Sequence, residues 1–328
     1  MKLSLILPVH NSEATLGDQL EALAAETWPG DWELIICDNG STDASLDIAR
    51  RYNGRIPNLH FVDASGRRGA SYARNKGVEV ARGETVAFID ADDVIGRGWI
   101  AAIAEASESH DFMASRFEYQ KLCETPEQDY GGGTQIDGIQ HMWWPPFYPY
   151  SGACGIAIRK TLHEEIGGFD EKWPRLQDAE YCIRLHRHGA RLQFVPDALM
   201  HIRNRATYKG IFHQAELWGQ YNVLLYKHYR QEDKKLPHPF KRYIQDACKA
   251  LKRWIRGPVN SRVMYQLGWH YGLLKGVLMY RVAPPVVGLI PLPEDTPTDD
   301  TTTPKTGEET CEGRPPQSEV SSPACSIH

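Results

Sequence analysis

The sequence has few cysteines and no long uncharged hydrophobic run. Its seven cysteines are an odd number without a Cys-x-x-Cys pair, which argues against a disulfide framework and against a zinc site. The apolar stretch 273–290 contains Lys275, Arg281, Pro284 and Pro285, so we do not expect a membrane-spanning helix. The chain enters a strand-like apolar run at residue 3, without the pattern of a signal peptide. These absences predict a protein of a reducing, cytoplasmic compartment.

The net charge of −5 conceals two oppositely charged C-terminal segments. Between Lys227 and Arg281 there are 13 Lys or Arg residues against three Asp or Glu, whereas residues 294–328 have two against eight. The basic segment has a helical pattern with many aromatic and aliphatic residues, which suits the surface of an anionic membrane. A packed helical appendage with a solvated basic face is the alternative. Nucleic-acid binding is not expected, because no known binding module accompanies the charge.

Strand and helix patterns alternate over the first 90 residues. Apolar runs predict strands at 3–9, 32–37, 59–62 and 85–89, with helices at about 13–26, from about 43 to 52, and at 70–82. This order is typical of a parallel sheet covered by helices, in which ligands bind at the carboxyl ends of the strands. Pro8, Asp38 and a group of carboxylates beginning at Asp90 all follow such ends. We therefore expect them to share one site.

The carboxylates of Asp90, Asp92 and Asp93 follow the fourth predicted strand directly. Strand alternation would place Asp90 and Asp92 on one side, and Asp93 on the other side or in a turn. Like charges so close repel each other and are commonly held together by a cation. Oxygen ligands suit Mg²⁺ or Mn²⁺, which bridge carboxylates to substrate diphosphates. A solvated acidic turn is the alternative, but the position after a buried strand favours a metal site.

These motifs in this order resemble the family 2 glycosyltransferases, which have the GT-A fold. The resemblance covers about residues 1–205 and rests on residues 7–11, 38–43, 73–77, 88–93, 167–171 and 177–180. Two positions depart from the usual pattern, because Asn39 replaces a second Asp and Gln177 replaces a Glu. Together with the C-terminal composition, the resemblance predicts three segments. They are an α/β GT-A nucleotide-sugar-binding domain (1–210), a basic, aromatic helical extension (211–292) and a disordered acidic tail (293–328).

The resemblance implies transfer of a sugar from a nucleotide-diphosphate donor, UDP-linked, to a hydroxyl of a glycan or lipid-linked acceptor. Such reactions serve envelope or extracellular polysaccharide assembly, here in the cytoplasm or on the inner face of the cell membrane. Asp38 would accept a hydrogen bond from the nucleotide base beside the backbone of Pro8, and Arg74 would lie near the nucleotide or phosphates. The carboxylates of 90–93 would bind the ribose and Mn²⁺ or Mg²⁺. A turn-forming Asp38 and an exposed helix Arg74 are the alternatives.

Asp178 is the general base that the resemblance implies, acting in one displacement that inverts the anomeric carbon. A polyanionic, partly closed site should raise the affinity of the Asp178 carboxylate for protons, which suits proton abstraction near neutral pH. A plain helix cap is the alternative. Glu180 would assist the acceptor or only stabilise the helix. His201 resembles a metal-binding histidine of some relatives, with an ordinary core or surface histidine as the alternative.

Residues 143–153 admit two roles. Residues 151–153 resemble the small-residue stretch near the donor sugar, and the aromatics of 143–150 would form either an acceptor platform or a loop packed on the core.

Two other functions remain open. A non-catalytic nucleotide- or glycan-binding module would not need both Asp178 and the carboxylates of 90–93. A sugar-phosphate nucleotidyltransferase usually has a Gly-rich basic loop after its first strand, where this chain has residues 8–11.

Overall fold

The computed structural model describes residues 1–130, 133–230, 240–282 and 284. The described residues form ten strands: β1 (Leu3–Val9), β2 (Trp32–Asp38), β3 (Leu59–Asp63), β4 (Thr85–Phe88), β5 (Val94–Ile95), β6 (Phe112–Glu118), β7 (Gln140–His141), β8 (Pro149–Tyr150), β9 (Ile156–Arg159) and β10 (Gln193–His201). Their nine α-helices are α1 (Leu16–Ala24), α2 (Ser45–Arg50), α3 (Ala70–Val80), α4 (Trp99–Ala106), α5 (Lys160–Glu165), α6 (Gln177–Arg187), α7 (Tyr208–Tyr229), α8 (Phe240–Arg256) and α9 (Ser261–Tyr280).

Eight strands form one sheet in the order β3-β2-β1-β4-β9-β6-β10-β5. The first four of these are parallel to one another. β9 runs antiparallel between β4 and β6, β10 is parallel to β6, and β5 is antiparallel to β10. β7 and β8 form a separate hairpin. The predicted α/β fold, a mostly parallel sheet flanked by helices, is confirmed, although the strand predicted at 85–89 already ends at Phe88.

The sheet is buried on both faces at β1 and β2, whose residues are buried at all but one position in each strand. Leu5 and Leu7 pack on one side with residues of α1 and α4, and Ile6 packs on the other side with residues of α3 and α6. The helix α3 approaches the sheet closely at Gly77. A Cβ at Gly77 would lie 2.5 Å from Ile6 Cγ2 and 2.6 Å from Cys37 Sγ, so only glycine allows this contact.

The predicted helical extension contains α7, α8 and α9. Glycines bring α7 and α9 into backbone contact, since a Cβ at Gly272 would lie 2.0 Å from Glu216 O and one at Gly268 would lie 2.3 Å from Phe212 O. The helix α8 packs against α9 and buries Ala250. Among the described residues, no helix combines the length and the hydropathy needed to cross a membrane.

The aromatic segment 142–150 joins the sheet domain to the extension. Trp144 and Tyr148 are buried with Tyr226 of α7 and Ile183 of α6, so these two aromatics pack on the core and do not offer an acceptor platform. The domain boundary at residue 210 stays a prediction. The tail at 293–328, predicted to be disordered, lies outside the described residues.

Candidate active site

The carboxyl ends of β1 and β2 lie side by side at one edge of the sheet. Val9 pairs with Asp38 in the parallel register, directly after Pro8, and the N–H of Asn39 donates to Val9 O at 2.8 Å. Asp38 Oδ1 accepts a hydrogen bond from the N–H of Ser41 at 3.1 Å and so shapes the following turn. The fold therefore brings Pro8 and Asp38 together, and their contact with a nucleotide base stays a prediction.

The hydrogen bonds of Asn39 explain why an amide stands where the family usually has a second Asp. Its Nδ2 donates to Ala64 O at 2.5 Å and to Arg67 O at 2.8 Å, while its Oδ1 accepts from the N–H of Gly69 at 2.8 Å. A carboxylate could not donate to these two carbonyls. The amide thus ties the end of β2 to the loop that leads into α3.

Arg74 is buried in α3 and is not the exposed helix arginine of the alternative interpretation. It is only 2% exposed, and its Nη2 donates to Asp90 Oδ1 at 2.6 Å. The guanidinium carbon also lies 5.5 Å from the ring centre of Phe169. Arg74 Nε and Nη1 are buried without a hydrogen-bond partner among the described residues. Such unpaired donors are unfavourable in a protein interior and are suited to an anionic ligand.

The carboxylates after β4 lie in a loop, so strand alternation does not govern their directions. Asp90, Asp93 and Cys154 form a group whose potential ligand atoms all lie within 4.8 Å of one another. The Asp92 carboxylate faces Arg205 instead, with its Oδ2 at 3.7 Å from Nη1 of Arg205. Sequence reasoning missed Cys154, which reaches the carboxylates because β9, which starts at residue 156, pairs with β4.

Residues remote in sequence hold the backbone of this acidic loop, which we define as residues 90–95. From α1, Gln19 Oε1 accepts from the N–H of Ile95 at 2.9 Å, and Gln19 Nε2 donates to Asp90 O at 3.2 Å. After β10, the Arg203 N–H donates to Asp93 Oδ1 at 2.9 Å and its Nε donates to Asp92 O at 3.1 Å. Sequence reasoning missed both residues, because neither lies in a recognisable motif.

The group of Asp90, Asp93 and Cys154 fits a divalent cation. Burial, followed by the charges of Asp92 and Asp90, raises the pKa of Asp93 well above its ordinary value. A cation would relieve this repulsion, and carboxylate oxygens are ligands that Mn²⁺ and Mg²⁺ accept. The donor set therefore agrees with the predicted metal, although Asp92 faces Arg205.

Asp178 lies in the first turn of α6, where its Oδ1 accepts from the N–H of Ala179 at 2.9 Å. Burial raises the pKa of Asp178, and the hydrogen bond from Ala179 and the charge of Arg74 oppose this rise. The direction matches the expectation for a general base. Asp178 and Asp90 thus both feel the charge of Arg74.

Glu180 has a structural environment. It is 2% exposed, and its Oε1 accepts from Arg184 Nε and from the Tyr229 hydroxyl, both at 2.7 Å. Arg184 also donates to Ile166 O at 2.8 Å. These contacts favour the helix-stabilising alternative for Glu180.

His201 closes β10 and is engaged at both ring nitrogens. Its Nδ1 lies 2.7 Å from Glu118 Oε2, and its Nε2 lies 3.2 Å from Lys121 Nζ. Among the described residues, the grouping of possible metal ligands at the acidic loop does not include it. A metal-binding role for His201 stays a prediction.

The sequence profile of Glycosyl transferase family 2 matches residues 4–166. The putative glycosyltransferase EpsH of Bacillus subtilis (strain 168) is 43% identical over 215 residues, which cover 61% of this chain and 60% of EpsH. The chain spans 16% to 28% of the length of three further curated relatives.

Two solved structures resemble the fold. TarS 1–349 of S. aureus in complex with UDP-GlcNAc has a TM-score of 0.53 at 19% identity, covering 84% of this chain and 81% of that chain. The mannosyltransferase PcManGT of Pyrobaculum calidifontis, in complex with GDP-Man and Mn²⁺, has a TM-score of 0.58 at 18% identity, covering 84% and 86%. These likenesses establish the predicted GT-A fold. The profile match over residues 4–166, with the 43% identity to EpsH, shows that the chain belongs to glycosyl transferase family 2.

Proposed function

We propose that the protein is an inverting, metal-dependent glycosyltransferase that moves a sugar from a UDP-linked donor to a hydroxyl of a glycan or lipid-linked acceptor. The observation that carries the proposal is the position of Arg74. Its buried guanidinium holds Asp90, keeps two N–H donors without a partner among the described residues, and exerts its charge on Asp178. A cationic centre between a metal-binding group and a base is what a diphosphate leaving group requires.

On the donor side, Asp38 would accept a hydrogen bond from the nucleotide base next to Pro8. Arg74 would donate its unpaired N–H groups to the diphosphate. The nucleotide sugars bound by TarS and PcManGT support a donor of this class.

The cation would be held by Asp90 and Asp93, with Cys154 as the third member of the group. Asp92, which faces Arg205 here, is the further carboxylate of the predicted set. When bound, it would supply positive charge against the departing diphosphate. The Mn²⁺ in the structure of PcManGT supports this assignment. The side chains of Gln19 and Arg203 would keep the acidic loop in place.

On the acceptor side, Asp178 would take the proton of the acceptor hydroxyl. The acceptor oxygen would attack the anomeric carbon as the bond between that carbon and the diphosphate oxygen breaks. A single displacement with one base inverts the configuration. The raised pKa of Asp178 supports this role because it increases the affinity of the carboxylate for the proton.

The test is hydrolysis and transfer with a panel of nucleotide sugars, with and without Mn²⁺. We expect one donor to be hydrolysed, chelator to abolish the reaction and Mn²⁺ to restore it. Calorimetry on Asp178→Asn should show unchanged donor affinity. Donor binding that is equal with and without metal, or the absence of any donor binding, contradicts the proposal.

We also propose that the extension works at an anionic membrane surface. Trp254 and Ile255 of α8 are 46% and 68% exposed, next to the exposed basic residues Lys249, Lys252 and Arg253. Exposed apolar and basic residues on one helix suit a helix lying in the lipid interface. Each basic residue close to such a surface is worth about 1 kcal/mol.

Co-sedimentation with vesicles containing anionic lipid tests this placement. Binding should fall steeply with added salt, and replacing the three basic residues by Gln should release the protein without affecting donor hydrolysis. A charge-matched control replaces Arg50, Arg51 and Arg191, which are exposed elsewhere. If the wild type does not bind anionic vesicles at low salt, α8 is a packed appendage. A soluble acceptor then becomes the better hypothesis.

A further inference from the structure

Four tyrosines outside the residues assigned above come from four separate segments of the chain. Tyr119 follows β6, Tyr130 lies in the loop after it, Tyr150 ends β8, and Tyr265 comes from α9 of the extension. All four side chains are half-buried. They therefore combine a fixed position with access from the solvent.

Tyr265 is fixed by its aromatic neighbours. Its ring centre lies 6.3 Å from that of Trp269 at 11°, 6.3 Å from that of Trp218 at 70°, and 6.3 Å from that of Tyr130 at 45°. Such offset and tilted arrangements are favourable for aromatic pairs. Tyr265 thus has one orientation, set by both helices of the tight α7–α9 pair.

The start of α9 is attached to the loop that carries Tyr130. Asn260 caps the helix by accepting from the N–H of Val263 at 2.9 Å, and Ser261 Oγ donates to Glu127 O at 2.5 Å. These contacts keep the Tyr265 side of α9 against the sheet domain. The Tyr130 hydroxyl accepts from the N–H of Arg205 at 3.1 Å, and Arg205 Nη1 lies 3.7 Å from Asp92 Oδ2, so the start of α9 is linked to the acidic loop.

Packing places Tyr150 beside the helix that carries Asp178. The strand β8, which ends at Tyr150, packs against α6, and Cys182 Sγ of α6 lies 3.9 Å from Ser151 O. Burial, followed by the nearby Tyr265 and Asp178, raises the pKa of Tyr150, which agrees with this placement. Tyr150 therefore borders the position that an acceptor hydroxyl takes if Asp178 removes its proton.

The chemistry of this cluster suits a sugar ring. The Tyr119 hydroxyl lies 3.0 Å from Thr134 O and is already bonded. For Tyr150 and Tyr265, in contrast, no hydrogen bond joins the hydroxyl to another described residue. Aromatic faces pack on the C–H face of a pyranose, and convergent polar groups fix its orientation.

We propose that Tyr265, together with Tyr150, forms the subsite that holds a sugar ring of the acceptor next to Asp178. The proposal rests on the glycosyltransferase function proposed above. It assigns acceptor recognition in part to the C-terminal extension, whereas all the proposed donor and metal residues lie at or before His201. Donor and acceptor binding should thus be separable by mutation.

The test uses the full chain and p-nitrophenyl glycosides of glucose, galactose and N-acetylglucosamine as acceptor probes. Saturation-transfer NMR with UDP and MnCl₂ reports their binding without requiring turnover. Tyr265→Ala should abolish the signal, and Tyr265→Phe, which keeps the ring, should weaken binding by about three- to tenfold. The control is Tyr271→Ala, on the same helix, where Tyr271 is 52% exposed and stacks on Phe212.

The outcomes separate this proposal from the proposed function. Loss of glycoside binding in Tyr265→Ala, with Tyr271→Ala unaffected and UDP-sugar affinity unchanged by calorimetry, supports the subsite. Absence of a glycoside signal in the wild type overturns the subsite. Equal glycoside binding by the wild type and Tyr265→Phe also overturns it. If Tyr265→Ala does not fold, Tyr265→Phe is the variant that decides. A wild type that binds glycosides but no nucleotide sugar would instead refute the glycosyltransferase function.

Discussion

Replacing Asp93 by Asn should make the metal-free protein more stable and the Mn²⁺-loaded protein less stable than the wild type. The possible ligand atoms of Asp90 and Asp93 lie within 4.8 Å of each other, and two unit charges at that limit repel by about 3.5 kcal/mol at an effective dielectric constant of about 20. The positive charges of Arg74 and Arg205 offset part of this energy. Asn retains an oxygen for the N–H of Arg203, so the variant loses the repulsion and keeps the hydrogen bond. We expect a gain of about 1–3 kcal/mol without metal.

The stability difference between the metal-free wild type and Asp93→Asn depends on pH with a definite sign. The native pKa of Asp93 is raised well above the ordinary value of about 3.9. Below that ordinary value the side chain is protonated in both the folded and the unfolded chain, so wild type and variant differ least. As the pH rises through the native pKa, the metal-free wild type loses stability relative to Asp93→Asn.

Mn²⁺ should reverse the order of stability, so that the wild type becomes more stable than Asp93→Asn. A ligand at 100 times its Kd stabilises the folded wild type by about 2.7 kcal/mol, which corresponds to roughly 5–10 °C in Tm for a domain of this size. The variant lacks one charged ligand and should gain much less. Thermal unfolding in EDTA and in MnCl₂ measures both effects, with the exposed Asp197→Asn as the control. An equal Mn²⁺ shift in both proteins, or a variant less stable than the wild type in EDTA, would refute the reasoning.

Three further substitutions test single contacts. Asp178→Asn should lower turnover by about 10²–10⁴-fold in steady-state assays with nucleotide affinity unchanged, whereas a mere helix cap would cost about 1 kcal/mol of stability and leave turnover intact. Asn39→Asp should lower the free energy of unfolding in urea by about 1–3 kcal/mol, because the carboxylate cannot donate to Ala64 O, and an unchanged midpoint would contradict this. Glu180→Gln should cost about 3 kcal/mol in the same assay, since it removes the buried charge that pairs with half-buried Arg184; a loss below about 1 kcal/mol would make the pair a surface contact.

The sequence by itself determined four parallel strands of the sheet and the edge at which the site lies. Apolar runs of strand length ended at Pro8, Asp38 and the 90–93 carboxylates, and alternation with helical patterns implied parallel strands. Hydrophobic burial and strand geometry are local properties that four to seven residues can encode. For this reason the edge could be located before any contact was known. The motif order likewise sufficed to identify the family.

The tertiary structure alone decided which side chains meet at that edge. The pairing of β9 with β4 brings Cys154 to Asp93, and the end of β10 brings Arg203 to the same loop. The glycine-rich contact between α7 and α9 brings Tyr265 against Trp218 of the other helix. Such contacts depend on strand order and helix packing, which no local pattern encodes. Burial follows from the same packing, and it is what turned Arg74 from an ordinary helix residue into a buried cation with unpaired donors.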